Sequence, residues 1–487
     1  MPDSTIDEDI RRAAAVDEQR PSASDPESRL VRGLGVWDAA LLTIGSVIGT
    51  GIFITTGDMA RVLPDSRLIL LVWAAGGLLT LAGALTYAEL GVLFPRAGGM
   101  YHYVKEAYGP LWGFLYGWIA FLVIMSGGIA ALAVAFGEYL GSFFPFFSTQ
   151  NVLFMAPPLG SWTWSVSGGQ IAGALAIVIL TAINHLGLKE GAGVQNALTV
   201  LKIGSILVFG VLGLILPAPE ISGLSASGSS AVGGTLLAAF GVAMIAALWT
   251  YDGWYGLTCS AGEVKNPGRN LPWGLIAGTA AVMALYLLLN FVYVRVLPVS
   301  AMAGTPRIGE TAAAVLFGDQ GARLVSLAVL VSTFGCISST ILYSSRIYLP
   351  MAADGLFFRS MAEVHPRFRT PVRCLWWQSA WAVLLTLSGT YAQLYTYVIF
   401  ASIVFHAATA AAVFVFRRRL PDAPRPYRTW GYPVVPALFI LACLLLIGNT
   451  LVESPVESLL GIGLLVLGLP AFLIFRARSA KVFPESR

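Results

Sequence analysis

Apolar positions run in long unbroken blocks along this chain, separated by short polar connections, with neither the alternation of a half-buried strand nor the polar face of a soluble amphipathic helix. The blocks fall near 36–60, 67–94, 110–141, 168–185, 196–217, 231–257, 272–297, 322–349, 373–389, 391–417, 433–452 and 456–476. Each is close to the ~20 residues that cross a bilayer core as a helix. The pattern predicts an all-α integral membrane protein with twelve transmembrane helices. Residues 1–33 are polar and of mixed charge, without the apolar stretch of a signal peptide, and read as a disordered cytoplasmic tail. Residues 477–487 form a second cytoplasmic tail.

Two of the blocks are interrupted at depth. The first contains GSVIGTGIF at 45–53 and the sixth TYDGWYG at 250–256, which places an aspartate within the membrane. Glycine-broken segments in matching positions of two halves point to a substrate site between inverted repeats. The halves are 34–217 and 231–417, five spans each, with two further helices at 433–476.

Composition narrows the class. Of 487 residues, 56% are hydrophobic and 11% charged, with a mean hydropathy of +0.75, against roughly 25% charged in soluble domains. A soluble multidomain protein is excluded. The net charge of +4 says little, but its distribution orients the chain. With both ends inside, 25 of the 30 Lys and Arg fall on the cytoplasmic side, where positive charge accumulates. The expected location is the cytoplasmic (inner) membrane, multi-pass, with both termini cytoplasmic. Cys259, Cys336, Cys374 and Cys443 form no CxxC pair, so neither a disulfide framework nor a zinc site is expected.

A break at Gly45–Gly51 leaves carbonyls unpaired at the end of one half-helix and N–H groups unpaired at the start of the next. The N–H groups of Thr50 and Gly51 suit a carboxylate. The carbonyls near Val47 and Ile48 suit an ammonium. One break therefore matches both ends of a zwitterionic α-amino acid. The competing reading is that these glycines serve only close helix packing.

GSVIGTGIF, the run YAELGVLFPRAGGMYHYVKEAYGPLWGFLYGW from Tyr87 to Trp118, and YDGWYGLTCSAGEVKNPGRNLP from Tyr251 to Pro272 resemble the amino acid-polyamine-organocation superfamily, and within it the L-type amino acid transporter branch. The resemblance covers about 34–475. It implies the LeuT-type fold of five plus five inverted helices and two more, alternating access, and an amino acid held by broken helices 1 and 6. It places the substrate carboxylate on Thr50 and Gly51, with Gly49 opening the turn, and the ammonium on the carbonyls of Val47 and Trp249. Trp249 also stands where the family has an aromatic that closes over the substrate; for a tryptophan, packing is the ordinary alternative. Gly253 and Asp252 lie in the second break. Lys202, six residues into span 5, either snorkels to the cytoplasmic surface or, as the resemblance implies, replaces a bound sodium ion between Gly45 and the hydroxyls of Ser338, Ser339 and Thr340 on helix 8.

Asp252 has three open roles: counter-charge to a cationic side chain, proton acceptor, or partner of freed backbone N–H groups. Glu89 and Glu263 are expected to pair with loop arginines, while Glu138, His185 and His406 are read as satisfied polar positions. Relatives that pair with a glycosylated heavy chain carry a cysteine between helices 3 and 4; residues 142–167 have none, so no disulfide-linked heavy chain is expected. No HExxH, GxSxG or P-loop is present, so no enzyme chemistry, cofactor, metal or nucleic-acid partner is expected. The expected function is sodium-independent secondary transport of neutral amino acids by exchange or proton symport. The alternatives are a cationic amino acid or polyamine carrier of the same fold, and a channel.

Overall fold

The computed structural model describes residues 30, 32–157, 164–217, 235–389 and 391–482. Of the tails expected at 1–33 and 477–487, residues 1–29, 31 and 483–487 lie outside the described residues, as does the start of the second half at 231–234, while 477–482 continue the last helix instead of beginning a tail. Among the described residues nine helices are long and apolar enough to cross a membrane, and two apolar helices, Val36–Val47 and Leu236–Tyr251, are shorter.

The helices are α1 (Val36–Val47), α2 (Thr55–Val62), α3 (Ser66–Leu93), α4 (Met100–Tyr108), α5 (Pro110–Leu140), α6 (Gly168–His185), α7 (Leu188–Ile215), α8 (Leu236–Tyr251), α9 (Gly256–Cys259), α10 (Pro267–Val296), α11 (Val299–Met302), α12 (Ile308–Ala353), α13 (Val372–Thr386), α14 (Tyr391–Arg419), α15 (Val434–Glu453) and α16 (Pro455–Val482). Their ends follow local chemistry. Asp65 caps α3 by accepting from the N–H of Arg67 at 2.8 Å, and Pro95 follows the last turn. A capping box opens α6, in which Ser167 and Gln170 bond each other's backbone N–H groups. α5 carries one wide turn at Ala120–Ile124.

α1 and α8 are short because their blocks are interrupted. After Val47 the chain turns extended at Ile48 and makes a single tight turn, Gly51–Phe53, before α2 begins. After Tyr251, Gly253 takes a left-handed φ of +94°, which an L side chain rarely adopts. A Cβ there would also stand 2.6 Å from the Ser46 carbonyl.

α10 packs along α1 and α3, α5 along α6 and α12, and α14 along α15. The most apolar window of α5 is 89% buried, whereas those of α15 and α16 are 28% and 17% buried. Exposed Leu441, Leu445, Leu459 and Leu467 on these outer helices form the kind of surface that suits acyl chains. Three elements differ from the sequence expectation. α4 is a separate nine-residue helix inside the second motif. A two-stranded antiparallel hairpin, β1 (Val152–Met155) with β2 (Ser165–Ser167), occupies the connection expected to be a plain loop. α12 begins at Ile308, before the predicted 322, and bends at Gly318, where φ is +70°.

Candidate functional site

The two breaks face each other. The Ser46 hydroxyl donates to the carbonyls of Leu42 and Gly253, at 2.8 and 3.0 Å. The Thr55 and Thr250 hydroxyls pair at 2.8 Å. Tyr286 of α10 lies 3.1 Å from the carbonyls of both Val47 and Thr250, so its one hydroxyl proton serves the two broken helices together. These bonds satisfy part of the backbone that the interruptions release.

Between the breaks lies a cavity of about 30 Å³, bordered by Val47, Gly49 and Gly51 of the first break, Trp249, Asp252 and Gly253 of the second, and Leu132, Cys336, Thr340 and Tyr343 from α5 and α12. That is room for water, and an amino acid is several times larger, so the arrangement is closed around its centre. Toward one side Trp249 covers the cavity, its indole N–H donating to the Tyr391 hydroxyl at 2.7 Å and its ring stacked on Tyr395 at 5.9 Å. Beyond them opens a vestibule of about 330 Å³ that includes Asp58, Arg61, Glu138 and Gln170. Toward the other side, Arg346 and Glu263 form a doubly hydrogen-bonded pair at 3.1 and 3.2 Å, both essentially without solvent exposure. Lys105 and Tyr101 both reach Asp354, at 2.7 and 2.5 Å.

The structure separates the sequence candidates into groups. Val47, Gly49, Gly51, Trp249, Asp252 and Gly253 border the cavity; Ile48 and Thr50 do not. Thr50 is fully buried, with a hydroxyl that has no hydrogen-bond partner among the described residues. Ile48 differs from its expected part in holding an ammonium of the substrate: its carbonyl points the other way and accepts from Lys202 Nζ at 2.9 Å and from Ser332 at 3.2 Å. The Trp249 carbonyl accepts from the N–H of Asp252 at 3.1 Å, and Asp252 takes a weak contact from the Tyr255 hydroxyl at 3.5 Å.

Lys202 is 2% exposed and turned inward, donating to Gly45 O at 3.0 Å as well as to Ile48 O. The groups of α12 beside it are Ser332 and Gly335, one to two turns before the Ser338–Thr340 segment. Those three hydroxyls are engaged elsewhere: Ser338 receives Asn184 at 3.1 Å, Ser339 donates to Gly335 O and Thr340 to Cys336 O. Thr340 alone of them reaches the cavity.

Glu89 accepts two bonds from Arg417, at 2.9 and 2.8 Å, and the N–H of Thr429 at 2.7 Å. Arg417 lies in the last turn of α14 and Arg346 inside α12, while Arg425 of the loop after α14 also stands 3.4 Å from Glu89, so Glu89 has a loop arginine beside a helical one and Glu263 pairs with a helical one. Glu138 accepts from Thr149, His185 receives Trp376 at 3.2 Å, and His406 pairs with Tyr87 at 2.8 Å. Sequence reasoning missed Tyr286, Ser332, Tyr391 and the wide turn of α5, because a single polar residue in an apolar span carries no periodic signal.

Removing one partner of a buried ion pair strands the other charge, at about 3–5 kcal/mol. Arg346→Ala is therefore expected to lower thermal stability by that order, with Arg346→Ala/Glu263→Gln recovering part of it. Melting of the purified variants checks this, and equal loss in single and double variants would reject it.

With this geometry in hand, comparison with known proteins is direct. The profile of the family described as amino acid permease matches residues 34–471. The chain is 32% identical over 460 residues to the serine/threonine exchanger SteT of Bacillus subtilis (strain 168), covering 93% of this chain and 99% of the relative. It is 29% identical over 472 residues to the b(0,+)-type amino acid transporter 1 of Homo sapiens (94% and 91%). It is 28% identical over 451 residues to the large neutral amino acids transporter small subunit 2 of Mus musculus (91% and 81%). A chain matched along nearly its whole length, and built of apolar helices around two broken ones, belongs to the amino acid permease family of the amino acid-polyamine-organocation superfamily.

Proposed function

We propose that this permease exchanges neutral α-amino acids across the cytoplasmic membrane by alternating access, without sodium. The observation that carries the reading is the meeting of the two interrupted helices around one small cavity, with Gly49 and Gly51 of the first break on one flank and the Asp252 carboxyl of the second on the other. The carboxylate of the substrate docks on the N–H groups at Thr50 and Gly51, where the start of the following turn favours negative charge. Its ammonium lies toward the Val47 carbonyl and Asp252. Lys202, bonded to two carbonyls of the first break, takes the place of a cation there. Trp249 with Tyr391 closes one side and Arg346 with Glu263 the other, so opening one at a time gives alternating access.

Exchange is favoured over net uptake because the relative most similar among those named above is itself called an exchanger. The five-plus-five organisation, over 34–217 and 231–417 with helices at 433–476, belongs to the same reading. Twelve crossings follow if the nine long helices are joined by the α1–α2 and α8–α9 pairs and by α13. Both ends are then cytoplasmic. All four native cysteines are buried, which gives a quiet background for labelling. An impermeant maleimide added outside should modify a cysteine at exposed Gln150 and spare one at exposed Asp422; the opposite pattern would reject the topology.

A second reading, a cationic substrate, is favoured by one observation: Asp252 borders the cavity, and its carboxyl meets groups of its own break, the Gly253 N–H and, weakly, the Tyr255 hydroxyl, rather than a basic side chain. A lysine or arginine side chain would neutralise it. The neutral reading is preferred because the ammonium of any α-amino acid can serve the same carboxylate. The expected result is that alanine or serine competes with uptake better than arginine, in wild type and in Asp252→Asn alike. Arginine winning in the wild type and losing its advantage in the variant would overturn the preference. Saturable uptake with counterflow separates a carrier from a channel, which would give large unitary currents.

A further inference from the structure

Asp252 borders two cavities. One is the central cavity; the other, also about 30 Å³, lies behind it between α3, α8, α14 and α15. Its polar walls are Asp252, Ser402, His406, Thr80 and Cys443. Ser402 is buried and its hydroxyl has no hydrogen-bond partner among the described residues. A chamber of this size holds one water, which needs two to four polar partners. An orphan hydroxyl, a carboxyl and an imidazole supply them.

With the imidazole as its Nδ1–H tautomer, each of the two contacts of Tyr87 has its own proton. The Tyr87 hydroxyl donates to the Met100 sulfur at 3.1 Å, leaving its oxygen to accept from His406 Nδ1–H at 2.8 Å. In the neutral ring Nε2 is then a bare acceptor, and His406 lines the chamber. Neither His406 nor Ser402 borders the central cavity.

We propose that Asp252, the chamber water and His406 form a proton-holding site that responds to substrate. Without substrate one proton resides on the Asp252 carboxyl. When an ammonium docks beside it, which rests on the site reading above, the carboxyl O–H bond breaks, the water passes a proton on, and an N–H bond forms at His406 Nε2. The pair keeps one proton throughout. Its carboxylate form then faces the ammonium, and its imidazolium is retained by Tyr87, which accepts from Nδ1–H in both states. The other titratable groups facing the pair are Tyr255 from the second break, Tyr343 and Cys336 from α12, Tyr87 from α3 and Cys443 from α15. Beyond Cys336 stands Lys202.

The test is infrared difference spectroscopy of the reconstituted full-length protein with and without L-alanine, together with alanine affinity against pH. The expected result is a protonated-carboxyl band, absent from Asp252→Asn, that alanine abolishes in the wild type. In His406→Gln the band should persist on alanine addition and the affinity at neutral pH should fall about tenfold, recovering as pH rises. Ser402→Ala, which removes the anchor of the water and should not disturb folding, should show the same trend. If alanine binds and the wild-type band does not change, the ammonium does not dock beside Asp252 and both readings fail. If the band is lost equally in wild type, His406→Gln and Ser402→Ala, with superimposable pH profiles, the site stands and the relay is overturned.

Discussion

Lys202→Ala should cut the initial rate of amino acid uptake at least about tenfold, while replacing sodium with choline leaves the wild-type rate unchanged. The ammonium is buried and donates to Gly45 O and Ile48 O. Ile48 O keeps Ser332 at 3.2 Å when the lysine is gone, but Gly45 O is left unpaired in a dry interior. A buried acceptor without a partner costs about 1–3 kcal/mol, and each 1.36 kcal/mol is a factor of ten in rate when it falls on the barrier. Counting folded protein in the membrane separates loss of transport from loss of protein. Strict sodium dependence of the wild type would reject the cation-substitute role, and an unimpaired Lys202→Ala would reject any part for this lysine in transport.

Gly51→Val should abolish substrate binding, and Gly49→Ala should weaken it by a lesser factor. A Cβ at Gly51 would stand 2.7 Å from Thr250 Oγ1 and 3.1 Å from Thr250 Cα, pushing the two breaks apart. At Gly49 it would meet only side-chain ends, Leu132 at 3.0 Å and Cys336 at 3.2 Å, which can give. Overpacking of this kind costs about 1–3 kcal/mol, equivalent to about ten- to hundredfold in affinity, and at Gly51 the added bulk also fills the cavity. Equilibrium binding of labelled alanine or serine to monodisperse protein measures it. Unchanged affinity in a folded Gly51→Val would move the site elsewhere.

The breaks were legible because glycine clusters in an apolar block have few other uses, and the helices because their blocks match the bilayer. The partners were not. Lys202 could be placed by its depth, but which turn of α12 faces it depends on where that helix starts. Ile308 follows Arg307 without a side-chain cap, and the Gly318 bend lies ahead of the predicted span. Hence Ser332 and Gly335, rather than Ser338 and Ser339, stand beside the ammonium. α4 was missed because nine residues with Lys105 and Glu106 among them read as a loop between two spans, within the second motif. The hairpin was missed because its strands, of four and three residues, are too short for a reliable period. Tyr286 could not be found at all: its importance comes from two carbonyls that the chain order leaves 203 residues apart.

That tyrosine also limits how the molecule can move. Its single proton is divided between Val47 O and Thr250 O, so drawing the two interrupted helices apart must abandon one carbonyl, whereas swinging them as a unit abandons neither. The cheaper path is the second. The hinge of the transport cycle is therefore expected between this clasped pair, carrying α10 with it, and the scaffold of α5 and α12, and the substrate travels inside the moving piece rather than across a seam that opens within it.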